Sequence, residues 1–303
     1  MAGEDLSKVH GLISKLFHWP SRKEDWEQYR LTDEQVAHFA EFGYVSGIKL
    51  LDAQQTGELK NELQELSNPG HPGNSLFYEY STNESTDPSK VLFHALGAWR
   101  IAPGFHDLLW NPAFLMAASQ LLGNQAVRFW HDQLFCKPAR HGGVVAWHQD
   151  YSYWIRSVPM QHLTCWCGLD DADTDNGCLY YVPGSHRWGL LEKPALAGDM
   201  DGLLLSLTGK QKAMFKPVPI PLKAGYATFH HSLLIHGSYA NTTERQRRAF
   251  VVNVFADGTR SNTNEPLLSG IPVFEKDKKL EGDFFPLLFD PVREGIKLER
   301  HPA

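Results

Sequence analysis

The chain changes texture near residue 126. Before that point apolar residues recur at helical spacing. After it, short runs rich in β-branched and aromatic residues alternate with turn signals. The runs are Val127–Lys137, His162–Leu169, Cys178–Val182, Tyr226–Phe229 and Ala249–Phe255. Asp175-Asn176-Gly177 reads as a tight turn, and Pro183-Gly184-Ser185-His186 closes the run before it. Helices followed by many short strands predict a mainly β chain with flanking α. The expected core is closed, a jelly roll or cupin-like barrel, with the N-terminal helices packed on one side.

In the helical part, Thr32-Asp33-Glu34-Gln35 reads as a capping box ahead of a helix over Val36–Phe42, which Gly43 ends. Tyr44–Gly47 is a candidate strand. Asp52 to Gln55 repeats the capping pattern, and Leu59, Leu63 and Leu66 make one face of the helix that follows. The spacing of Leu6, Val9, Ile13, Leu16 and Phe17 predicts a short amphipathic helix over 6–17, and a longer one is predicted over Phe105–Leu122. Residues 67–90 lack periodicity and suit a lid or a surface excursion. Residues 190–224 form an insertion with little pattern. The expectation is one domain over 1–303: a helical extension at 1–30, a core at 31–256 and an irregular tail at 257–303.

Composition narrows the function classes. Of 303 residues 42% are hydrophobic, enough for one substantial core. The net charge of −6 supplies no basic field for nucleic acid. Cys136, Cys165, Cys167 and Cys178 form no C-x-x-C pair, so they read as buried reduced thiols rather than zinc ligands or a redox dithiol. Neither an N-terminal leader pattern nor an apolar run of about 20 residues is present, so a cytoplasmic protein without a membrane partner is expected.

The chemistry concentrates around His148-Gln149-Asp150. On a strand, residues two apart project from one face, so an imidazole and a carboxylate can converge on a metal ion. With 15 histidines in the chain, one H-x-D is expected about once by chance. Two further features change that. His236 follows several strands later, and Arg247 lies eleven residues beyond it, heading the run to Phe255. Two histidines and one carboxylate with open positions opposite suit Fe(II) that must bind a bidentate cosubstrate and O₂. A planar arginine fork can take a distal carboxylate in bidentate fashion. A zinc or manganese cupin-type enzyme, or a scaffold with a vestigial site, is the alternative; neither has an evident use for the arginine.

Taken together, His148-Gln149-Asp150, the Asn176-Gly177-Cys178-Leu179 turn, Pro183-Gly184-Ser185-His186 and the run from Phe229-His230 through Leu234-Ile235-His236-Gly237-Ser238 to Asn241 resemble the phytanoyl-CoA dioxygenase family of Fe(II)/2-oxoglutarate oxygenases. The resemblance covers roughly residues 31–256. It implies a double-stranded β-helix core, Fe(II) held by His148, Asp150 and His236, and 2-oxoglutarate anchored by Arg247, with O₂ as co-reactant and a small molecule as substrate. It also places Gln149, Trp166 and Ser238 near the cosubstrate or metal, and Gln133 along the 2-oxoglutarate pocket. The Lys90–His94 region does not align cleanly. Relatives that halogenate replace the carboxylate with a small residue, so Asp150 favours hydroxylation. Tyr151 and Trp154, just past Asp150, are the candidate substrate contacts. His186 reads as structural, His230 and His231 as buried or supporting, and Arg248 as solvated or paired because it points away from Arg247.

Overall fold

The computed structural model describes residues 4–81, 93–140, 143–193 and 199–298. Among them the strands are β1 Tyr44–Lys49, β2 Glu79–Ser81, β3 Phe93–Leu96, β4 Val127–Lys137, β5 Val145–His148, β6 Ser157–Val158, β7 His162–Gly168, β8 Leu179–Tyr181, β9 Val218–Ile220, β10 Tyr226–His231, β11 His236–Ser238, β12 Arg247–Ala256, β13 Arg260–Ser261 and β14 Leu287–Phe289. The helices are α1 Asp33–Phe42, α2 Ala53–Leu66, α3 Pro103–Leu108, α4 Pro112–Leu121, α5 Tyr151–Trp154 and α6 Gly209–Met214. A large sheet runs β1-β10-β7-β12-β4-β3-β2, with β14 beside β4, and a small one runs β5-β11-β8-β9. All pairings are antiparallel. The fold is a jelly roll of two sheets, as expected, but the sheets do not join into a closed barrel.

Side-chain alternation gives the large sheet two different faces. Phe250, Val252 and Val254 of β12, with Leu163, Cys165 and Cys167 of β7, join the apolar cluster under the helices. There Phe229 stacks on Phe114 of α4 at 6.1 Å, and Phe250 meets Phe105 of α3 edge-on at 6.3 Å. The opposite face carries Ala249, Val251 and Trp166, which pack against Leu179, Tyr181 and Ile220 of the small sheet. Antiparallel register aligns that inner face into rungs. Lys137 opposes Arg247, Gln133 opposes Val251 and then Trp166, and His131 opposes Asn253 and then Thr164. Thr164 in turn opposes His230.

Both capping boxes form as read. Thr32 with Gln35 starts α1, and Asp52 with Gln55 starts α2. The first box belongs to the first turn of α1, so the helix begins at Asp33 rather than Val36. Other expectations need correction. Residues 6–17 hold only a 3₁₀ turn at Leu6–Lys8. The buried Asp107 carboxylate accepts from the backbone N–H groups of Ile13 and Ser14, at 2.8 and 2.7 Å, and so removes the donors a helix would use. Phe105–Leu122 is two helices, because Asn111 caps a fresh start at Pro112 by accepting from the N–H groups of Ala113 and Phe114. The tail contributes β14 to the large sheet. The 190–224 insertion contains α6 and β9, and part of it (194–198) lies outside the described residues. So do residues 82–90 of the expected 67–90 loop; its described part ends in β2. No described helix is long and apolar enough to cross a membrane.

Candidate active site

His148 ends β5, and Asp150 lies beyond it in the right-handed helical region, leading into α5. The two ligands are therefore brought together by a strand-to-helix turn, and not by the strand alternation expected from H-x-D. β11 pairs with β5 so that His236 stands directly opposite His148, and the two rings lie 4.1 Å apart. One atom from each of His148, Asp150 and His236 falls within 4.8 Å of the others. Nε2 of both histidines sits 3.5 Å from Oδ1 of Asp150. On the far side of each ring, Nδ1 faces a backbone carbonyl, Ala146 at 2.8 Å and Leu234 at 3.0 Å. Those bonds place the protons on Nδ1 and leave the Nε2 lone pairs converging.

Asp150 is held as firmly. Its Oδ2 accepts from Thr164 Oγ1 at 2.6 Å and from His230 Nε2 at 3.0 Å, which leaves Oδ1 for the centre. Burial alone would raise this carboxyl. The imidazoles around it, His236 first and then His148 and His230, instead hold it well below the usual carboxylate range. His236 is pushed well below its ordinary value by burial and by its neighbour His148, which keeps the ring neutral. An ionised carboxylate and neutral imidazoles are the forms that ligate a metal. His230→Phe removes one of the two bonds that aim Asp150. We expect it to weaken Fe(II) or Mn(II) binding about 10–100-fold, measured by metal titration; unchanged affinity would show that Thr164 alone suffices.

One cavity is lined by the triad and also by Gln133, Trp166, Ser238 and Arg247. Arg247 is 2% exposed, and burial pushes its pKa down to about 10. Its Nη2 donates to the Gly177 carbonyl at 3.0 Å, the guanidinium lies 5.4 Å from the Trp166 ring centre, and its buried Nε has no partner. Beside it Lys137, 1% exposed, donates to Ser238 Oγ at 2.8 Å and to the Tyr239 carbonyl at 2.5 Å. Burial, and then the charge of Arg247, lower its pKa well below the usual value. No carboxylate neutralises Lys137 among the described residues. A buried guanidinium with an orphaned donor, beside a buried lysine amine, fits an incoming carboxylate, so this donor set suits 2-oxoglutarate.

The Gly177 carbonyl also accepts from Ser238 Oγ at 2.9 Å. Gly177 has φ +86°, and a Cβ there would stand 2.7 Å from the Tyr239 carbonyl oxygen, so the turn needs glycine.

Two candidate residues face elsewhere. The Gln149 amide donates to the Gly189 and Leu233 carbonyls and accepts from Leu191 N–H, tying the metal loop to its neighbours. It is buried away from the cavity because the turn after His148 reverses the alternation. The Tyr151 hydroxyl donates to the Ser157 carbonyl at 2.8 Å and lines neither cavity of the site. Trp154 does line a second chamber, of about 520 Å³, that shares Gln133, Phe135, Val145, His148 and Asp150 with the first. Tyr153, its ring centre 6.0 Å from that of His148, lines it as well. Lys137, Thr164 and Tyr153 were not anticipated. Lys137 shares the Gln133 face by simple alternation, so that much could have been found. The partner of Thr164 depends on how the two sheets meet. Arg248, on the opposite face from Arg247, is paired with Asp170 at 2.8 and 2.9 Å. His186 packs on His231 at 5.3 Å, under Gly43.

Known proteins resemble this chain in sequence and in fold. The family model described as phytanoyl-CoA dioxygenase (PhyH) matches residues 39–249. A phytanoyl-CoA dioxygenase domain-containing protein 1 homolog of Caenorhabditis elegans is 35% identical over 135 residues, 42% of this chain and 45% of that protein. A methylphosphonate hydroxylase of Gimesia maris is 27% identical and is covered over 83% of its length, using 75% of this chain. Against the phytanoyl-CoA dioxygenase relatives, the chain spans about half of their length. The structure of the epimerase SnoN in complex with Fe³⁺, α-ketoglutarate and nogalamycin RO superimposes with a TM-score of 0.69 at 21% identity, over 85% of this chain and 98% of that one. With the family model matched across both sheets and the whole triad, this chain belongs to the phytanoyl-CoA dioxygenase family, whose cofactors are Fe(II), 2-oxoglutarate and O₂.

Proposed function

We propose that this protein is a 2-oxoglutarate-dependent dioxygenase that hydroxylates a small organic molecule. The observation that carries the reading is that His148 and Asp150 line both the cavity leading to Arg247 and the 520 Å³ chamber. A metal there would face a cosubstrate on one side and a prime substrate on the other. In this reading Nε2 of His148, Oδ1 of Asp150 and Nε2 of His236 hold Fe(II). Arg247 binds the distal carboxylate of 2-oxoglutarate, with Ser238 and Trp166 beside it and Gln133 along the wall. The bound iron and cosubstrate supply the oxidising power. The chain supplies the rest: it aims the ligands, neutralises the cosubstrate's charge and places the C–H bond in a chamber walled by Trp130, Tyr153 and Trp154.

The overall change converts substrate C–H, 2-oxoglutarate and O₂ into C–OH, succinate and CO₂. Hydroxylation is supported by the carboxylate at position 150, which leaves no ready place for a halide, and by the hydroxylase named among the relatives. Four cysteines without disulfides fit a reducing compartment, and we infer the cytoplasm.

The test begins without a substrate. Anaerobic protein loaded with Fe(II) should develop a weak visible charge-transfer band when 2-oxoglutarate is added, and Zn(II)-loaded protein should not. Bound iron without the band would overturn the reading. A metabolite screen for 2-oxoglutarate turnover under ¹⁸O₂ then reads the outcome. A product carrying one added ¹⁸O atom is expected; a desaturated product would refute hydroxylation while leaving the oxygenase reading in place.

A further inference from the structure

We propose that His131, set by Asn253, donates a hydrogen bond from Nε2 to an oxygen of the prime substrate. The chamber would then take a molecule that carries a carbonyl-type oxygen near the carbon to be oxidised. This rests on the iron reading given above.

His131 faces inward on β4, two residues before Gln133, and lines the chamber next to the triad. Its rung continues through Asn253 and Thr164 to His230. The outer half of that rung, Thr164 and His230, is spent on Asp150. The inner half, His131 and Asn253, makes no bond to the metal site. Both residues are buried, at 3% and 0% exposure, so this is a built polar pair and not a surface accident. The Asn253 amide nitrogen lies 3.2 Å from Nδ1 of His131. With the amide NH₂ turned toward Nδ1, that nitrogen accepts and the ring proton sits on Nε2. The flipped amide would pair the otherwise unpartnered Asn253 Oδ1 with a proton on Nδ1, and the tautomer measurement below decides between them. Burial lowers the pKa of His131 to about 4, which keeps the ring neutral with that single donor. Trp154 meets the ring edge-on at 5.5 Å and fixes its plane. No side-chain hydrogen bond of Nε2 is seen among the described residues.

The surroundings say what should meet it. Opposite Asn253 and Val254, β4 carries a bulge at Trp130, which lets this residue join its neighbour His131 on the chamber wall. Leu267 and Leu268 add further apolar lining. Gln133, Arg156 and Lys193 also line the chamber, and the buried Trp130 Nε1 has no partner either. A donor-rich wall selects an acceptor and disfavours a ligand that brings only N–H groups or only carbon.

The test uses ¹⁵N-histidine-labelled protein with Zn(II) and 2-oxoglutarate, read by long-range ¹H–¹⁵N correlation. His131 should appear as the Nε2–H tautomer; a proton on Nδ1 overturns the proposal without any variant or ligand. Three probes of similar shape follow: 4-phenyl-2-butanone, butylbenzene and 3-phenylpropylamine. The ketone should shift the Nε2–H resonance and bind about tenfold more tightly than the other two, and His131→Phe should erase that preference. Asn253→Asp replaces the donor with an acceptor, moves the ring proton to Nδ1 and should turn the preference toward the amine. Equal binding of the three probes to wild type overturns the proposal. A missing charge-transfer band with Fe(II) and 2-oxoglutarate sinks the iron reading instead, so the two failures are distinguishable.

Discussion

Asp150→Ala is expected to reduce 2-oxoglutarate turnover to background and to weaken Fe(II) binding by more than the roughly 10–100-fold that loss of a supporting partner costs. The reason is visible in the geometry. Oδ1 is the one anionic atom facing Nε2 of both histidines, at 3.5 Å from each. Without it the site offers two neutral imidazoles and no charge to offset a dication. Thr164 and His230 would also lose their shared acceptor, so the variant disturbs the support as well as the ligand. Asp150→Asn separates the two effects, because it keeps an oxygen for Thr164 while removing the charge. Iron titration and succinate release, measured side by side on both variants, check the claim. Turnover by Asp150→Ala above a tenth of wild type would mean that the triad is not the iron site.

The second large effect is at Arg247. Arg247→Met should raise the 2-oxoglutarate dissociation constant by about two to three orders of magnitude, since breaking a buried charge pair costs on the order of 3–5 kcal/mol. The ligand-free protein should behave differently. Arg247 is buried beside Lys137 with its Nε unpartnered, so the cost of burying the cation offsets its bond to Gly177 and its contact with Trp166 in that state. We therefore expect the ligand-free thermal midpoint to stay near the wild-type value. What should vanish is the gain on adding cosubstrate, about 2.7 kcal/mol for wild type at a hundred times its dissociation constant. A purely structural role for Arg247 predicts the opposite pattern, a lowered midpoint without ligand and an undiminished gain with it. Scanning calorimetry with and without 2-oxoglutarate, on metal-loaded protein, decides between them.

Much of this site was open to reading from residues alone. The family resemblance pointed to Gln133 and Arg247, which do line one cavity, and the capping boxes located α1 and α2. Where the reading failed, a contact from far along the chain had overridden a local pattern. Asp107, more than ninety residues away, captures the N–H groups that the 6–17 helix needed. Gln149 sits between two residues of the triad, yet a turn after His148 aims its amide at Gly189, Leu191 and Leu233. The same turn directs Tyr151 into the structure and leaves Tyr153 and Trp154 facing the chamber.

The sequence by itself determined the candidate triad, the strand-rich second half and the family, because residue identity and local composition survive in any window of the chain. Only the tertiary structure decided which atoms converge. His148 meets His236 because β5 pairs with β11, eighty-odd residues later. Asp150 presents Oδ1 because Thr164 and His230, on two strands of the opposing sheet, occupy Oδ2. Lys137 stands beside Arg247 because β4 and β12 are in that register and no other. Register and sheet-to-sheet packing are set by the burial of both faces at once. No local stretch of sequence contains that sum.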